Sequence, residues 1–172
     1  MKAIAIAAAA ASLLLGAAAH AQQAPATSPL YGELGYSWTQ IHGNGIKATP
    51  GAVRGILGYE LHPNLAVEGM VEGGTGHDTD NGVSAKLNSS YGLFVKPKYD
   101  FGNTEVFGRV GWAHTNVNLS TTGDVSSSDF AYGAGVKYNV TPRVNVGLDY
   151  TRLADKNGVK VDGVTLGVGY KF

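Results

Sequence analysis

The chain has 172 residues, 25 of them glycine, no cysteine, and 13 basic residues against 13 acidic ones. Its length suits one domain, and the missing cysteines exclude a disulfide framework, a thiolate metal site and a cysteine nucleophile. The even charge offers no strong field for nucleic acid or for an anionic surface.

The first element in the chain is a targeting segment. Lys2 gives a positive start, and Ala3 to Ala19 is an uncharged apolar run. Ala19-His20-Ala21 offers small residues for cleavage before Gln22. We assign 1–21 to a signal peptide and 22–29 to an unstructured lead-in. A transmembrane anchor is the alternative, but alanine anchors weakly and the cleavage site follows at once. No cysteine lies near the cut, so no lipoprotein is expected. No other long apolar run follows, so a membrane location would require a closed barrel.

From Leu30 onward the sequence alternates with period 2. The first predicted strand, about 30–42, sets Leu34, Tyr36 and Trp38 against Tyr31, Glu33, Gly35 and Ser37. The second, about 52–61, sets Val53, Leu57, Tyr59 and Leu61 against Arg54, Ile56, Gly58 and Glu60. His62-Pro63-Asn64 reads as a tight turn. The third, about 65–73, sets Leu65, Val67 and Val71 against Glu68, Met70 and Glu72. A polar loop follows. The fourth, about 85–101, sets Tyr91, Leu93, Val95, Tyr99 and Phe101 against Phe94, Lys96, Lys98 and Asp100. Pro97 removes a ladder donor, so a bulge or strand end is expected there.

Gly102-Asn103 turns the chain. The fifth strand, about 105–118, sets Val106, Val110 and Trp112 against Phe107, Arg109 and Ala113. Ser120 to Ser128 is expected to be a loop. The sixth, about 129–140, sets Phe130, Tyr132, Val136 and Tyr138 against Gly133, Gly135 and Lys137. After Thr141-Pro142 the seventh, about 143–153, sets Val146, Leu148 and Tyr150 against Asn145, Asp149 and Thr151. Asp155-Lys156-Asn157-Gly158 signals a hairpin. The eighth, 159–172, sets Val164, Leu166, Val168, Tyr170 and Phe172 against glycines, Thr165 and Lys171.

Eight strands, most of nine residues or more, are thus expected, and a tilted strand needs about 9–11 residues to cross a bilayer. Short and longer connections alternate, as in bacterial outer-membrane barrels. A soluble barrel also alternates, with its apolar face inward. Two features favour the membrane form. Aromatic residues sit near the strand ends on the apolar face, as in interfacial girdles. The opposite face carries Glu33, Arg54, Glu60, Glu68, Glu72, Lys96, Lys98, Asp100, Arg109, Lys137 and Asp149 among glycines. In an all-β, eight-stranded antiparallel up-and-down transmembrane barrel these line a narrow lumen, where charges must pair. The interior therefore reads as a polar plug.

The residues also carry a resemblance. Gly58-Tyr59-Glu60-Leu61-His62-Pro63-Asn64-Leu65-Ala66-Val67-Glu68 resembles the strand–turn–strand of small OmpA-like and OmpX-like outer-membrane barrels. Tyr132 to Pro142 resembles another strand and turn of that group, and the aromatic end of the last strand resembles its closing strand. The likeness spans Leu30 to Phe172. It implies a porin-superfamily barrel in a Gram-negative outer membrane, in contact with lipid and lipopolysaccharide. It also implies insertion by the barrel-assembly machinery, with Tyr170 and Phe172 as the insertion signal. A periplasmic peptidoglycan-binding domain after the barrel is not expected, so that anchoring role is not carried over.

No catalytic residues are assigned, and an enzyme is not expected: no His-x-Ser spacing occurs around His42, His62, His77 or His114. Asp78 to Gly82 lacks the closing Glu of a calcium loop, and the histidines are scattered, so neither metal nor cofactor is expected. The expected role is structural support of the envelope by a monomer. A surface adhesin acting through its outer loops and a small-solute channel are the alternatives.

Overall fold

The computed structural model of the chain describes residues 28–43, 46–75, 78–80, 83–119, 123–156 and 159–172. The assigned signal peptide, most of the lead-in, and Gly76, Asn81, Gly82, Asn157 and Gly158 of the outer connections lie outside them. The strands are β1 (Leu30–Gly43), β2 (Ile46–Ala48), β3 (Gly51–His62), β4 (Leu65–Gly74) and β5 (Asp78–Asp80). They continue as β6 (Val83–Phe101), β7 (Thr104–Leu119), β8 (Gly123–Asn139), β9 (Val144–Lys156) and β10 (Val159–Lys171). Eight of them are staves; β2 and β5 are three-residue extensions on β1 and β6.

Each stave pairs antiparallel with its sequence neighbour, and β10 pairs with β1 from Lys171 opposite Tyr31 to Lys160 opposite His42. The sheet is therefore a closed barrel, as the alternation implies. Following directly opposed residues once round gives its stagger. Leu30 faces Tyr59, then come Val67, Val95, Val110, Tyr132, Arg152 and Asp162, and Asp162 faces Gln40. The circuit returns ten residues above its start, from Leu30 to Gln40. With a rise of 3.3 Å per residue and strands 4.8 Å apart, that stagger over eight staves tilts them by about 41°.

The apolar face points outward. Leu57, Leu93, Val95, Leu148, Leu166 and Val168 are exposed along the middle of the wall. Rings mark both ends. Tyr59, Tyr99, Phe101 and Tyr138 lie toward the short turns; Tyr36, Trp38, Tyr91, Trp112, Phe130 and Tyr150 lie toward the long connections. Trp112 packs edge-on against Phe130 with centroids 5.7 Å apart. A soluble barrel would bury this face, so the ambiguity left by alternation is resolved.

Three details depart from the sequence reading. Pro97 makes no bulge and ends no strand: the β6–β7 register is the same at Val95 opposite Val110 and at Lys98 opposite Phe107. The missing N–H merely interrupts the ladder, and Gly108 on β7 leaves room beside the ring. Shifts lie instead at Glu60/His62, Leu87/Ser89 and Val161/Asp162. Ser120–Ser128 is also not loop throughout, because β8 begins at Gly123 and pairs with β7 up to Leu119. Serine is a weak strand former, and an existing partner strand overrides that preference.

At the other end the turns are tight. Gly102 takes φ +64° between Phe101 and Thr104, a left-handed conformation that glycine adopts freely. The Thr141 hydroxyl accepts the Arg143 and Val144 N–H groups at 3.3 and 2.9 Å.

Candidate functional site

The inward face holds a chain of ion pairs. Near the short turns, Lys171 meets Glu60 at 3.1 Å and Glu60 meets Lys98 at 2.5 Å. Lys98 continues to Glu105 at 3.1 Å, and Glu105 to Lys96 at 2.8 Å. Lys96 lies 3.6 Å from Glu68, which binds Arg109 Nε at 2.6 Å. Arg109 reaches Asp149 at 3.3 Å, and Asp149 pairs with Arg54. Lys137 joins from the side, pairing with Glu33 and lying 3.8 Å from Glu105. Glu72 stands opposite Arg54 on the paired strand and accepts hydrogen bonds from Thr39 at 3.1 Å and Ser37 at 3.4 Å.

The twelve charges are six carboxylates (Glu33, Glu60, Glu68, Glu72, Glu105, Asp149) and six cations (Arg54, Lys96, Lys98, Arg109, Lys137, Lys171). Their formal sum is zero. Buried charges demand that balance, since a single uncompensated one costs several kcal/mol. Every stave contributes at least one member, so the network spans the cross-section.

The structure brings together all but one of the charges singled out from the sequence. Asp100 is the correction. It is exposed at the short-turn end, because β6 has left the lumen by that point. Glu105 and Lys171 belong to the network and are missing from the sequence assignment. Glu105 shares the strand parity of Phe107 and Arg109, and that was the available signal.

The sequence reading also missed the part played by rings. Phe107 points inward, with Lys96 Nζ 4.5 Å, Lys137 Nζ 5.0 Å and the Arg109 guanidinium carbon 5.2 Å from its centroid. The negative ring face helps three like charges share a small volume. Tyr31 donates its hydroxyl to Glu68 at 2.7 Å. Gly58 makes room for it: a Cβ there would lie 2.2 Å from the Tyr31 ring.

The interior is not polar throughout. An apolar cluster of Ala52, Ile56, Met70, Phe94, Ala113, Ala131, Leu153 and Val161 is packed among and above the charges. Hydroxyls bridge neighbouring staves, with Ser37 and Thr165 2.7 Å apart and Ser90 and Thr115 2.8 Å apart. The lumen is thus filled by interleaved charges, hydroxyls and hydrocarbon.

At the closing seam Phe172 N–H donates to Leu30 C=O at 3.1 Å, and the rings of Tyr170 and Phe172 lie 5.5 Å apart. On the outer wall His114 Nδ1 lies 2.6 Å from Ser128 Oγ across the β7–β8 ladder, with Tyr91 against the imidazole at 5.1 Å. Chain spacing does not display that pair. Among the described residues no cluster of His, Asp or Glu suited to a metal ion occurs. The side chains of Asp78 to Gly82 lie outside the described residues.

A family model described as an outer membrane protein beta-barrel domain matches residues 7–172. Among solved structures, the chain is similar to Neisserial surface protein A at 19% identity and TM-score 0.67, covering 84% of this chain and 98% of that one. It is similar to Ail, the attachment invasion locus protein of Yersinia pestis, solved with the heparin analogue sucrose octasulfate. There the identity is 22% and the TM-score 0.64, covering 83% of this chain and 97% of that one. OprG of Pseudomonas aeruginosa shares the fold at 12% identity and TM-score 0.56, with 84% and 96% covered. No curated protein matches significantly.

Proposed function

The chain belongs to the outer membrane β-barrel family, and from that premise we propose that it is a sealed structural barrel of a Gram-negative outer membrane. The observation that carries this reading is the balanced chain of ion pairs from Lys171 to Arg54 across the lumen. An eight-stranded interior is just wide enough for side chains, and here they fill it. The chain is exported by a cleaved signal peptide and works as a monomer among outer-membrane lipid and lipopolysaccharide. The barrel-assembly machinery inserts it, with Tyr170 and Phe172 as the signal. It has no nucleic-acid partner and performs no catalysis.

Purified, refolded protein added to planar bilayers should give no steady conductance steps. Regular steps at physiological salt would overturn the sealed reading and favour the small-solute channel. Deleting Phe172 should reduce the amount reaching the outer-membrane fraction; equal yields would remove the insertion-signal role.

A second reading, contact with a host or partner through the outer end, is favoured by one observation. β6, β7 and β8 continue beyond Tyr91, Trp112 and Phe130 as a paired ribbon. The similarity to Ail, named for attachment and invasion, is consistent with it.

A further inference from the structure

The outward wall formed by β3, β4, β6, β7 and β8 is uneven near the outer rings. Direct opposition across these strands aligns two rows. The lower row is Leu57, Gly69, Leu93, Trp112 and Phe130. The upper row, two residues further toward the long connections, is Gly55, Val71, Tyr91, His114 and Ser128. Gly69 interrupts the lower row between two exposed leucines, Leu57 and Leu93. A Cβ added there would come no closer than 3.9 Å to Leu57 O or Leu93 Cδ2, so the position is open. The notch widens past Tyr91 and Leu93 toward Trp112 and His114, with a volume of about 740 Å³. That volume lies within the range of small-molecule sites, about 300–1,000 Å³.

The two rows differ in chemistry. The lower one is hydrocarbon and aromatic throughout. The upper one ends in polar groups: His114 Nδ1 lies 2.6 Å from Ser128 Oγ, and the Tyr91 ring stands 5.1 Å from the imidazole on the other side. The serine fixes the ring through Nδ1 and leaves Nε2, across the imidazole, directed away from it. Gly69 and His114 are two strands and two residues apart, about 12 Å along the wall at a strand spacing of 4.8 Å and a rise of 3.3 Å. A single acyl chain spans that distance, with its polar linkage at the upper end. Neither row contains lysine or arginine, so the notch matches an uncharged linkage rather than a phosphate. A neutral serine–histidine pair offers both a donor and an acceptor. An amide or a hydroxyl answers both; an ester only accepts.

We infer that this notch seats one lipopolysaccharide molecule by an amide-linked acyl chain, the chain lying over Gly69 and its amide or hydroxyl meeting His114 and Ser128. The inference rests on the outer-membrane placement proposed above and names one lipid and its seat. In that placement lipid is what covers an apolar outward wall. His114 and Ser128 follow Trp112 and Phe130 toward the long connections, which puts the polar end at the outer-leaflet headgroups. Lipopolysaccharide carries amide-linked, hydroxylated acyl chains on a sugar, and the exposed rings of Tyr91 and Trp112 offer that sugar flat apolar faces. Glycerophospholipids carry esters and lack the donor.

The test counts bound lipid by native mass spectrometry. The whole barrel, refolded in mild detergent, is given equal micromolar amounts of lipid A (the acylated disaccharide of lipopolysaccharide) or phosphatidylethanolamine. The unaltered protein should retain one lipid A, and phosphatidylethanolamine about tenfold less. Gly69→Leu fills the notch without a clash and should lower lipid A retention about tenfold or more. His114→Leu keeps the apolar surface, removes the polar partner and should bring lipid A down to the level of phosphatidylethanolamine. Ala134→Leu, an enlargement at an exposed position of β8, should change nothing. Heat-modifiable gel migration checks that each variant is folded. Equal retention of the two lipids by the unaltered protein overturns the inference. So does lipid A retention untouched by either Gly69→Leu or His114→Leu, or lowered as much by Ala134→Leu. Failure of the membrane-barrel reading would appear elsewhere, as a chain that does not fractionate with the outer membrane.

Discussion

Glu68→Ala should lower the free energy of unfolding by about 3–5 kcal/mol, the cost of breaking a buried pair from one side. Glu68 is the hub of the lumen. It binds Arg109 at 2.6 Å, lies 3.6 Å from Lys96 and accepts the Tyr31 hydroxyl at 2.7 Å. Its removal leaves six cations facing five carboxylates, with Arg109 and Lys96 crowded round Phe107. Arg109 has no other acid except Asp149, which Arg54 already engages. Urea unfolding in lipid vesicles, followed by the fluorescence of the two tryptophans, measures the change. Asp100→Ala is the comparison. Exposed and outside the network, it should change stability by less than about 0.5 kcal/mol. A loss below about 1 kcal/mol for Glu68→Ala would mean that water reaches the lumen and screens the orphaned cations.

Leu166→Arg should destabilise the barrel in a bilayer by about 2–4 kcal/mol, the cost of a cation at mid-depth on the lipid face. Leu166 is exposed, on the outward side of β10, with Tyr36 and Leu148 directly opposite on its two neighbours. Leu61→Arg, beside the Pro63 turn, should cost about 0–1 kcal/mol, because depth sets the penalty. If the outward face met water, both substitutions would be neutral. The same unfolding titration separates the two cases, since only lipid makes the difference between the positions large.

The barrel was legible because period 2 is a backbone property that tertiary context rarely reverses. Strand parity alone placed Arg54, Glu68, Lys96, Arg109 and Asp149 on one face. It cannot tell where a strand leaves the lumen, which is why it also places Asp100 there, whereas Glu105 shares the parity of Phe107 and Arg109 and lies within its reach. The distinction depends on the tilt, and the tilt depends on a stagger visible only once all eight registers are known. Composition misled at 123–128, where serine-rich sequence reads as loop but extends a ladder begun by β7. The register shift at Val161/Asp162 is likewise hidden, because Leu153 looks like any other inward residue until its partner strand is counted.

The partners in the lumen have one consequence for how the molecule comes together. Arg54 of β3 pairs with β9, Glu33 of β1 with β8, and Lys171 of β10 with Glu60 of β3. None of these partners is in the same hairpin. A first hairpin of β1 and β3 entering lipid alone would carry Glu33, Arg54 and Glu60 without the residues that neutralise them. The charges therefore act as a timing constraint. They penalise piecemeal entry and reward closing the ring before the hydrocarbon is crossed, so assembly and disassembly of this barrel should each proceed in one step.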